Sequence, residues 1–416
     1  MRFALAVHGT RGDVQPCAAV GLELQRRGHD VRIGAPPDML GFVESTGLQP
    51  VAYGPDAQAM HQEDFVHNFW NIKTPVQVVR AGQAYLDRVW AEMSTVLTSL
   101  ADGADLLMTG MVQQGLAANV AEYEGIPLVG LHCFPVRVNG RLLPHVPPPV
   151  ARGAISTLWW VHWRMTKTVE NAQRRELGLP ATSVPSTHRI VERGGLDIQA
   201  YDDLYFPGLA TEWTKWRSQR PFVGALTLDL PSEADNDVAS WIAAATPPIY
   251  FGFGSMPVRS LTDTVALIDS ACAELDARAL ICVGTANVVG VPHRDHVKLV
   301  GAVSHDSVFP SCRAVVHHGG AGTTAAGVRA GIPTLILWVT ADQPIWAAQV
   351  KRLKIGTARR FSSVSKESLV ADLRSILTPQ HRARAREVAT RTIKPDAAVA
   401  TAADLLEAAA ARKPVA

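Results

Sequence analysis

The feature that most constrains the fold is an alternation of short apolar runs with helix-forming stretches, which occurs in two series along the 416-residue chain. This alternation is typical of parallel sheets covered by helices on both faces. In the first series the predicted strands are residues 3–7, 31–33, 51–53, 106–108, 128–131 and 198–201. In the second series they are residues 249–253, 280–283, 297–300, 314–316 and 334–337.

We therefore predict an α/β fold with two Rossmann-like domains that face each other across a cleft. The first domain covers residues 1–206, and a segment rich in Pro, Trp and charge at 207–221 is the predicted linker. The second domain covers 222–378, and a helical tail at 379–416 is expected to cross between the domains. Ligands of such sheets bind beyond the carboxyl ends of the strands, so the cleft is the expected binding place.

The composition excludes several classes of protein. A net charge of +2 is too small to indicate a nucleic-acid-binding protein, which usually has a strong excess of basic residues. The five cysteines are scattered and lack a C-x-x-C pair, which argues against disulfides and zinc and favours a reduced, intracellular compartment. No apolar run reaches the roughly 20 residues that cross a bilayer. We expect a cytoplasmic protein and leave open a contact with the inner face of the membrane.

Residues 317–324 read His-His-Gly-Gly-Ala-Gly-Thr-Thr, between a predicted strand and a predicted helix. Unpaired N–H groups and the helix dipole converge at such a turn, which makes it a phosphate site. Asp342 and Gln343 follow the next strand and are expected at the same edge of the sheet. Two other glycine turns, at 8–13 and 252–256, also follow strands, although none of the three is a G-x-G-x-x-G or a P-loop. Three such turns favour a nucleotide or phosphate ligand.

Single polar residues have competing interpretations. The position of Asp13, near a helix start, favours a cap, and a general base for a hydroxyl is the functional alternative. The acidic pair Asp235 and Asp237 precedes a helical stretch, so we favour a helix cap and assign no metal. His132, at the end of a strand, is expected to be a hydrogen-bonded structural histidine.

The run at 158–163, Leu-Trp-Trp-Val-His-Trp, has too many aromatic residues for a solvated face. Core packing is the expected role, and an apolar acceptor pocket or a membrane contact is the alternative. The apolar residues that suggest a hydrophobic acceptor are Phe65, Phe69, Trp70, Trp159, Trp160 and Trp163.

Four segments resemble the two-domain inverting glycosyltransferases of family 1, which have the GT-B fold and use nucleotide-sugar donors. They are residues 9–16, 28–31, 252–255 and the long block 303–349, which includes the run at 318–324 and the Asp-Gln-Pro at 342–344. The likeness is to bacterial and mycobacterial members that act on glycopeptide antibiotics, macrolides, sterols or glycopeptidolipids.

The resemblance implies a role for each matching residue. The donor diphosphate would contact His318, Gly320, Gly322, Thr323, Gly254 and Ser255. The backbone at Val303 would meet the base, and Asp342 with Gln343 would bind the donor sugar. Asp13 would activate the acceptor, which reverses the preference for a cap, and Thr10 and Gly12 would line the acceptor loop.

The expected function is inverting transfer of a sugar or deoxysugar to a hydroxyl of a hydrophobic natural product or glycolipid. We expect no cofactor and no metal, and the expected co-substrate is a dTDP- or UDP-sugar, with a GDP-sugar as a further alternative. A nucleotide-sugar epimerase or hydrolase shares the architecture. A non-catalytic nucleotide-sugar-binding protein is the third alternative, and the presence of Asp13 argues against it.

Overall fold

The structure is a computed structural model that describes residues 1–56, 89–111, 113–143, 146–228, 230, 235–254, 260–284, 291–339 and 342–412. The chain forms two compact units. The first contains Met1–Asp203, Pro207–Leu228 and Ile393–Ala416, and the second contains Leu204–Phe206 and Asp229–Thr392. Among the described helices, none combines the length and the apolar character needed to cross a bilayer.

The first unit is built on a six-stranded parallel sheet with the strand order β3-β2-β1-β4-β5-β6. Its strands are β1 (Arg2–Ala6), β2 (Asp30–Ala35), β3 (Pro50–Ala52), β4 (Leu106–Thr109), β5 (Leu128–His132) and β6 (Leu196–Gln199). Its helices are α1 (Arg11–Arg26), α2 (Leu40–Glu44), α3 (described over 89–101), α4 (Gln114–Glu124), α5 (Pro148–Glu176), α6 (Ser186–Glu192) and α7 (Leu209–Glu212).

The second unit repeats the same topology, with the strand order β12-β11-β10-β7-β8-β9. Its strands are β7 (Ile249–Gly252), β8 (Ala279–Cys282), β9 (Val297–Val300), β10 (Ala314–His317), β11 (Thr334–Trp338) and β12 (Gly356–Arg360). Its helices are α8 (Asp235–Ala243), α9 (Leu261–Glu274), α10 (His305–Val308), α11 (Ala321–Arg329), α12 (Gln343–Leu353), α13 (Lys366–Ile376) and α14 (Pro379–Ala389). The final helix, α15 (Pro395–Ala410), belongs to the first unit.

Strand β1 shows why these sheets read as continuous apolar runs. Phe3 and Leu5 pack into the core on one face of the sheet, and Ala4 and Ala6 pack into the core on the other face. Successive side chains of a strand point to opposite faces, so both must be apolar when helices cover both faces. This burial confirms the predicted parallel α/β architecture, and both sheets have the Rossmann strand order.

Two strand predictions were wrong in detail. The last strand of the first unit is Leu196–Gln199 and not 198–201, because the buried Asp197 interrupts the apolar pattern that marks a strand. The edge strand β12 was missed, since it is only partly buried and ends in two arginines. Exposed edges of sheets carry charged residues, which weakens their strand signal.

The segment predicted to be a linker, 207–221, is folded into the first unit. Trp213 is buried, and its Nε1 donates a hydrogen bond to the Val138 carbonyl at 3.2 Å. The Arg220 guanidinium stacks 4.9 Å from the Trp213 ring and 4.5 Å from the Trp216 ring. The Trp and charged residues of this segment therefore pack on each other through cation–π contacts, and the segment is not an exposed linker.

The tail predicted at 379–416 contributes to both units. α14 packs on α11 in the second unit, and α15 packs on α1 in the first. Ala398, Ala402 and Leu406 of α15 are fully buried in the core cluster that contains Leu5. The chain thus returns to its first unit at Ile393.

Candidate functional site

The turn after β10 forms the centre of the candidate site in the second unit. β10 lies between β7 and β11, and its last residue, His317, pairs with Gly252 and Ile336. The helices on the two sides of the β7–β10 pair lie on opposite faces in this topology, and such a switch point is where open α/β sheets bind ligands. His318, Gly319 and Gly320 connect β10 directly to α11.

The N-terminus of α11 carries backbone donors without a side-chain cap. Gly320 is the N-cap residue, and it has no side chain to accept from the first N–H groups of the helix. The next residues are Ala321, the exposed Gly322 and the half-buried Thr323. Unpaired N–H groups at the positive end of a helix favour an anion. Thr324 has a structural role, since its Oγ1 donates to the Gly320 carbonyl at 2.8 Å.

The two histidines of the turn have different surroundings. His317 is fully buried, and its Nδ1 accepts a hydrogen bond from the Gly319 N–H at 3.0 Å, which shapes the turn. Burial lowers the pKa of His317 well below its usual value, so it is neutral. Burial also lowers the pKa of His318, and a hydrogen bond with the backbone of Gly252 partly opposes this effect. The neutral His318 has a ring Nδ1 without a hydrogen-bond partner among the described residues.

The loop after β7 lies against His318. Gly254 has a φ of +59°, and a Cβ at this position would come within 2.8 Å of His318 Cε1. A side chain at 254 is therefore disfavoured both by backbone conformation and by space. The structure thus brings two predicted diphosphate residues, Gly254 and His318, together at one edge of the sheet. The predicted contact at Ser255 lies outside the described residues.

Asp342 and Gln343 are positioned by the start of α12, which follows β11. Gln343 Oε1 accepts a hydrogen bond from the Val339 N–H at 2.7 Å. Asp342 is the N-cap residue, and its Oδ2 accepts from Trp346 Nε1 at 3.0 Å. Burial raises the pKa of the Asp342 carboxyl group. A Cβ on Gly319 would be 3.2 Å from Gln343 Cβ, so this helix start lies beside the phosphate turn.

Val303 lies three residues beyond the carboxyl end of β9, and its half-buried side chain packs on the core cluster that contains Tyr250 and Val238. The next residue, Ser304, caps α10 by accepting a hydrogen bond from the Ser307 N–H at 3.3 Å. The predicted role of the Val303 backbone toward the base stays a prediction.

In the first unit, Asp13 forms part of the start of α1, at the switch point between β1 and β4. Thr10, not Asp13, is the N-cap residue, and Asp13 is the third residue of the helix. Asp13 Oδ2 accepts hydrogen bonds from the Thr10 N–H at 2.9 Å and from Thr10 Oγ1 at 3.4 Å. This is the carboxylate half of a capping box, and it fixes the half-buried carboxylate at the end of β1. The exposed Gly12 lies on the same turn.

Gly9 makes the position of Asp13 possible. Its φ is +144°, and a Cβ there would lie 2.3 Å from Asp13 Oδ2. The preceding residue, His8, is buried, and its Nε2 hydrogen-bonds with the Pro55 carbonyl at 2.9 Å. Burial lowers the pKa of His8, so the residue beside Gly9 is neutral near pH 7. The sequence indicated the turn but not this steric relation, because nothing in the residue types shows where the carboxylate points.

The structure explains three further residues. His132 is fully buried, lies 2.8 Å from Gln114 Nε2 and 3.5 Å from Asp197, and has the structural role that we expected. Asp235 Oδ1 accepts from the Ser304 N–H at 3.1 Å, and Asp237 pairs with Lys298 at 2.7 Å. Within the described ranges, no three His, Cys, Asp or Glu residues are arranged to hold a metal ion.

Sequence reasoning missed the role of Trp346. This residue is buried, and its ring lies edge-on to Tyr205 at 5.1 Å and to Phe206 at 5.9 Å. Its indole holds the Asp342 carboxylate. The spacing of four residues between Asp342 and Trp346 on a helix start was the available signal.

Comparison with known proteins identifies the relatives of this chain. Residues 3–100 match the N-terminal domain of glycosyltransferase family 28, and residues 265–407 match the C-terminal domain of proteins like erythromycin biosynthesis protein CIII. A glycosyltransferase of Mycobacterium tuberculosis is 60% identical over 415 residues, which cover 99% of this chain and 100% of that protein. Vancomycin aglycone glucosyltransferase of Amycolatopsis orientalis is 30% identical over 423 residues, which cover 100% and 99% of the two chains.

The solved structure of the glycosyltransferase VinC in complex with dTDP has a TM-score of 0.63 and 20% identity to this chain, covering 98% of it and 99% of VinC. Two six-stranded parallel sheets of Rossmann type in one chain match the GT-B architecture. The chain belongs to the family 1 glycosyltransferases with this fold, and it is a glycosyltransferase.

Proposed function

We propose that this glycosyltransferase inverts the anomeric centre and moves a sugar or deoxysugar from a nucleoside diphosphate to a hydroxyl of a hydrophobic natural product or glycolipid. The observation that carries the proposal is the uncapped N-terminus of α11 beside Gly254 and His318. Backbone donors and a helix dipole at a switch point suit a diphosphate, whose negative charge grows as it leaves.

The donor half of the reaction would depend on the second unit. Backbone N–H groups from Gly320 to Thr323 would bind the diphosphate, and the neutral His318 would donate a hydrogen bond to it. This set of donors can offset the charge of the leaving group, so we propose that the reaction needs no metal. Asp342 and Gln343 begin the adjacent helix and would bind the sugar hydroxyls, with Trp346 fixing the Asp342 carboxylate.

The acceptor half would depend on Asp13. The acceptor hydroxyl attacks the anomeric carbon as the bond to the diphosphate oxygen breaks, and the proton of that hydroxyl passes to the Asp13 carboxylate. An ordinary aspartate, with a pKa of about 3.9, is a weak base, so proton transfer is expected late in the reaction. The Thr10 N–H hydrogen bond holds the carboxylate in place during this step.

The choice of donor is supported by the relatives. VinC was solved with dTDP, and the relative of Amycolatopsis orientalis is a glucosyltransferase that acts on the vancomycin aglycone. We propose a dTDP- or UDP-sugar as the donor and an apolar hydroxylated compound as the acceptor.

The proposal is tested with Asp13→Asn. The asparagine amide oxygen can still accept from the Thr10 N–H, so the start of α1 is retained, but it cannot take a proton. We expect transfer to fall by about 100- to 10,000-fold. Thermal shifts produced by dTDP and UDP should be unchanged, with a bound ligand at 100 times its Kd adding about 2.7 kcal/mol. Product is measured by chromatography with mass detection.

The control for this experiment is Glu44→Gln, which removes an exposed carboxylate elsewhere in the first unit and should transfer at the wild-type rate. Full activity of Asp13→Asn would remove Asp13 as the base. Breakdown of the nucleotide sugar without any acceptor would indicate a hydrolase or an epimerase.

A further inference from the structure

A cavity with cationic side chains in its lining lies in the second unit, away from the turn at His318. An open cavity of about 530 Å³ is lined by Lys351, Lys354, Gly356, Gln380, His381 and Arg384. Gly356 is the first residue of β12 and pairs with Thr334, the first residue of β11. The cavity therefore lies at the amino edge of the sheet, whereas the turn at His318 follows the carboxyl end of β10.

The lining of the cavity has two lysines that form no ion pair with any described residue. Lys351 and Lys354, in the last turn and at the C-cap of α12, are exposed, and neither ammonium group has a hydrogen bond or an ion pair with any described residue. Among the described residues, no carboxylate lines the cavity. The third cation, Arg384, is partly neutralised by Glu387, which is 2.5 Å from its Nη1.

The lining is held in place by the start of α14. Arg384 Nε donates to the Leu353 carbonyl at 3.0 Å, which ties α14 to the end of α12. Thr378 caps α14, and its Oγ1 lies 3.0 Å from His381 Nδ1, which fixes the His381 ring beside the cavity. The helix N-terminus adds a positive potential on the same side as the lysines.

Lys354 occupies a backbone position that lysine normally avoids. Its φ of +57° and ψ of +33° lie in the left-handed region, where the residue after a helix is usually glycine. A lysine at this position lines the same cavity as Lys351, at a conformational cost to the backbone.

We propose that this cavity binds a phosphoryl group, carried either by a soluble phosphorylated molecule or by an anionic lipid headgroup. Two ammonium groups, a guanidinium and neutral donors around one space match the several oxygens of a phosphate. The volume accommodates a pyrophosphate or a phosphorylated sugar. This site is separate from the donor site, so its test does not depend on the proposed reaction.

The first experiment is lysine footprinting of the full-length protein with an acetylating reagent, followed by peptide mass spectrometry. Pyrophosphate at constant ionic strength should slow acetylation of Lys351 and Lys354 several-fold. Lys366, a half-exposed lysine of the same unit paired with Glu274, is the internal control and should be unaffected. Equal slowing at all three lysines would show only general screening and would overturn the proposal.

The second experiment compares two double variants that remove the same charge. Lys351→Gln with Lys354→Gln neutralises the lining, and Arg382→Gln with Arg386→Gln neutralises two exposed arginines of α14 that do not line the cavity. By calorimetry, the lysine variant should lose, or weaken at least about tenfold, the pyrophosphate-binding event at the cavity, while any binding event at the turn beside His318 is retained. The arginine variant should keep the binding event, and equal loss in both variants would contradict a defined site.

Vesicles distinguish the two sources of the phosphoryl group. Protection of Lys351 and Lys354 by phosphatidylglycerol vesicles but not by phosphatidylcholine vesicles, with none by pyrophosphate, indicates a lipid headgroup. Protection by pyrophosphate indicates a soluble ligand. Protection by neither probe overturns the proposal.

Discussion

At the scale of single residues, the position of the Asp13 carboxylate depends on Gly9. The space that a Cβ would occupy at Gly9 is filled by the Asp13 carboxylate, which lies 2.3 Å from that position. The absence of a side chain at Gly9 thus leaves room for the carboxylate to accept the hydrogen bond from the Thr10 N–H at the start of α1. One residue with no side chain thus determines where the proposed base points.

Gly9→Ala tests this relation. The added methyl group meets Asp13 Oδ2 and forces an unfavourable φ, so the carboxylate must move away from Thr10. We expect transfer to fall by about 100-fold or more, as for loss of the base, while nucleotide binding is unchanged. Gly47→Ala is the matched control, because Gly47 also has a positive φ, of +89°, but a Cβ there has open space. Wild-type transfer by Gly9→Ala would show that the position of Asp13 is not critical.

At the scale of elements, the N-terminus of α11 combines a stability defect with a binding function. Its N-cap, Gly320, supplies no side-chain acceptor, and its second residue, Gly322, is a poor helix former. A chain selected for stability alone would place Asp, Ser or Thr near such a start. The uncapped N–H groups are what an anion needs.

Gly322→Glu should therefore have opposite effects on stability and on binding. A Cβ at Gly322 meets no neighbour, and a carboxylate in the first turn interacts favourably with the positive end of the helix dipole. We expect the free energy of unfolding to rise by about 1 kcal/mol. Binding of dTDP and UDP should fall because the carboxylate competes for the same donors. Gly322→Gln, of the same shape but neutral, should stabilise less and bind better; calorimetry and denaturant titration measure both effects.

Helix α5 has an exposed apolar face in the run for which core packing was the expected role and a membrane contact the alternative. Leu158 and Trp160 are 67% and 57% exposed, and Val161 is also exposed, so the expected core packing of this run was wrong for these residues. Only Trp159 and Trp163 turn partly inward, and Trp159 Nε1 donates to the Val136 carbonyl at 2.7 Å. A period of 3.6 residues divides an aromatic run between two faces of a helix.

We propose that this face contacts a membrane that carries anionic lipids, from which an apolar acceptor could be drawn. The helix has Arg152, Arg164 and Lys167 and no acidic residue before Glu170. Leu158→Ser with Trp160→Ser should reduce co-sedimentation with phosphatidylglycerol vesicles, because both side chains lose their apolar surface. Thr157→Ser with Ser156→Ala is the control on the same exposed stretch, and equal sedimentation of all forms would exclude the contact.

The alternation of strands and helices, visible as buried runs such as Phe3–Ala6, was sufficient to predict both sheets. The turn at His318 was predictable too, because glycine and position after a strand are properties of the chain itself. The link from Trp346 to Asp342 and the packing of Trp213 were not, since they depend on which side chains meet in space. Charged residues led to two wrong predictions. The arginines at the end of β12 weakened its strand pattern, and the charge of the segment 207–221 suggested an exposed linker although Arg220 packs on Trp213 and Trp216.

At the scale of the whole molecule, buried histidines link stability to pH. Burial lowers the pKa of His132 to about 4, and it also lowers the pKa of His8, His317 and His318. In the unfolded chain each histidine takes up a proton near its ordinary pKa of about 6.5. The unfolded state therefore binds more protons than the folded state between these values, and stability is lost as the pH falls through that window.

We expect the free energy of unfolding to decrease between pH 6.5 and 4, with His132 alone contributing up to about 3 kcal/mol. His132→Gln should flatten this dependence. His188→Gln, at an exposed position on α6, should leave it unchanged. Denaturant titrations at a series of pH values measure the slope, and an unchanged slope in His132→Gln would contradict the assignment.

The chain returns to the first unit at Ile393, and this affects the order in which the two units can fold during synthesis. Because Ala398, Ala402 and Leu406 of α15 complete the core of the first unit, that unit cannot close its core until α15 has been synthesised. The second unit, whose residues end at Thr392, is completely synthesised earlier. Folding during synthesis usually proceeds from the N-terminus, but here the N-terminal unit is the last to close. We therefore expect a nascent chain to leave the apolar residues of the first unit that α15 covers, such as Leu5, open to solvent while the second unit is translated.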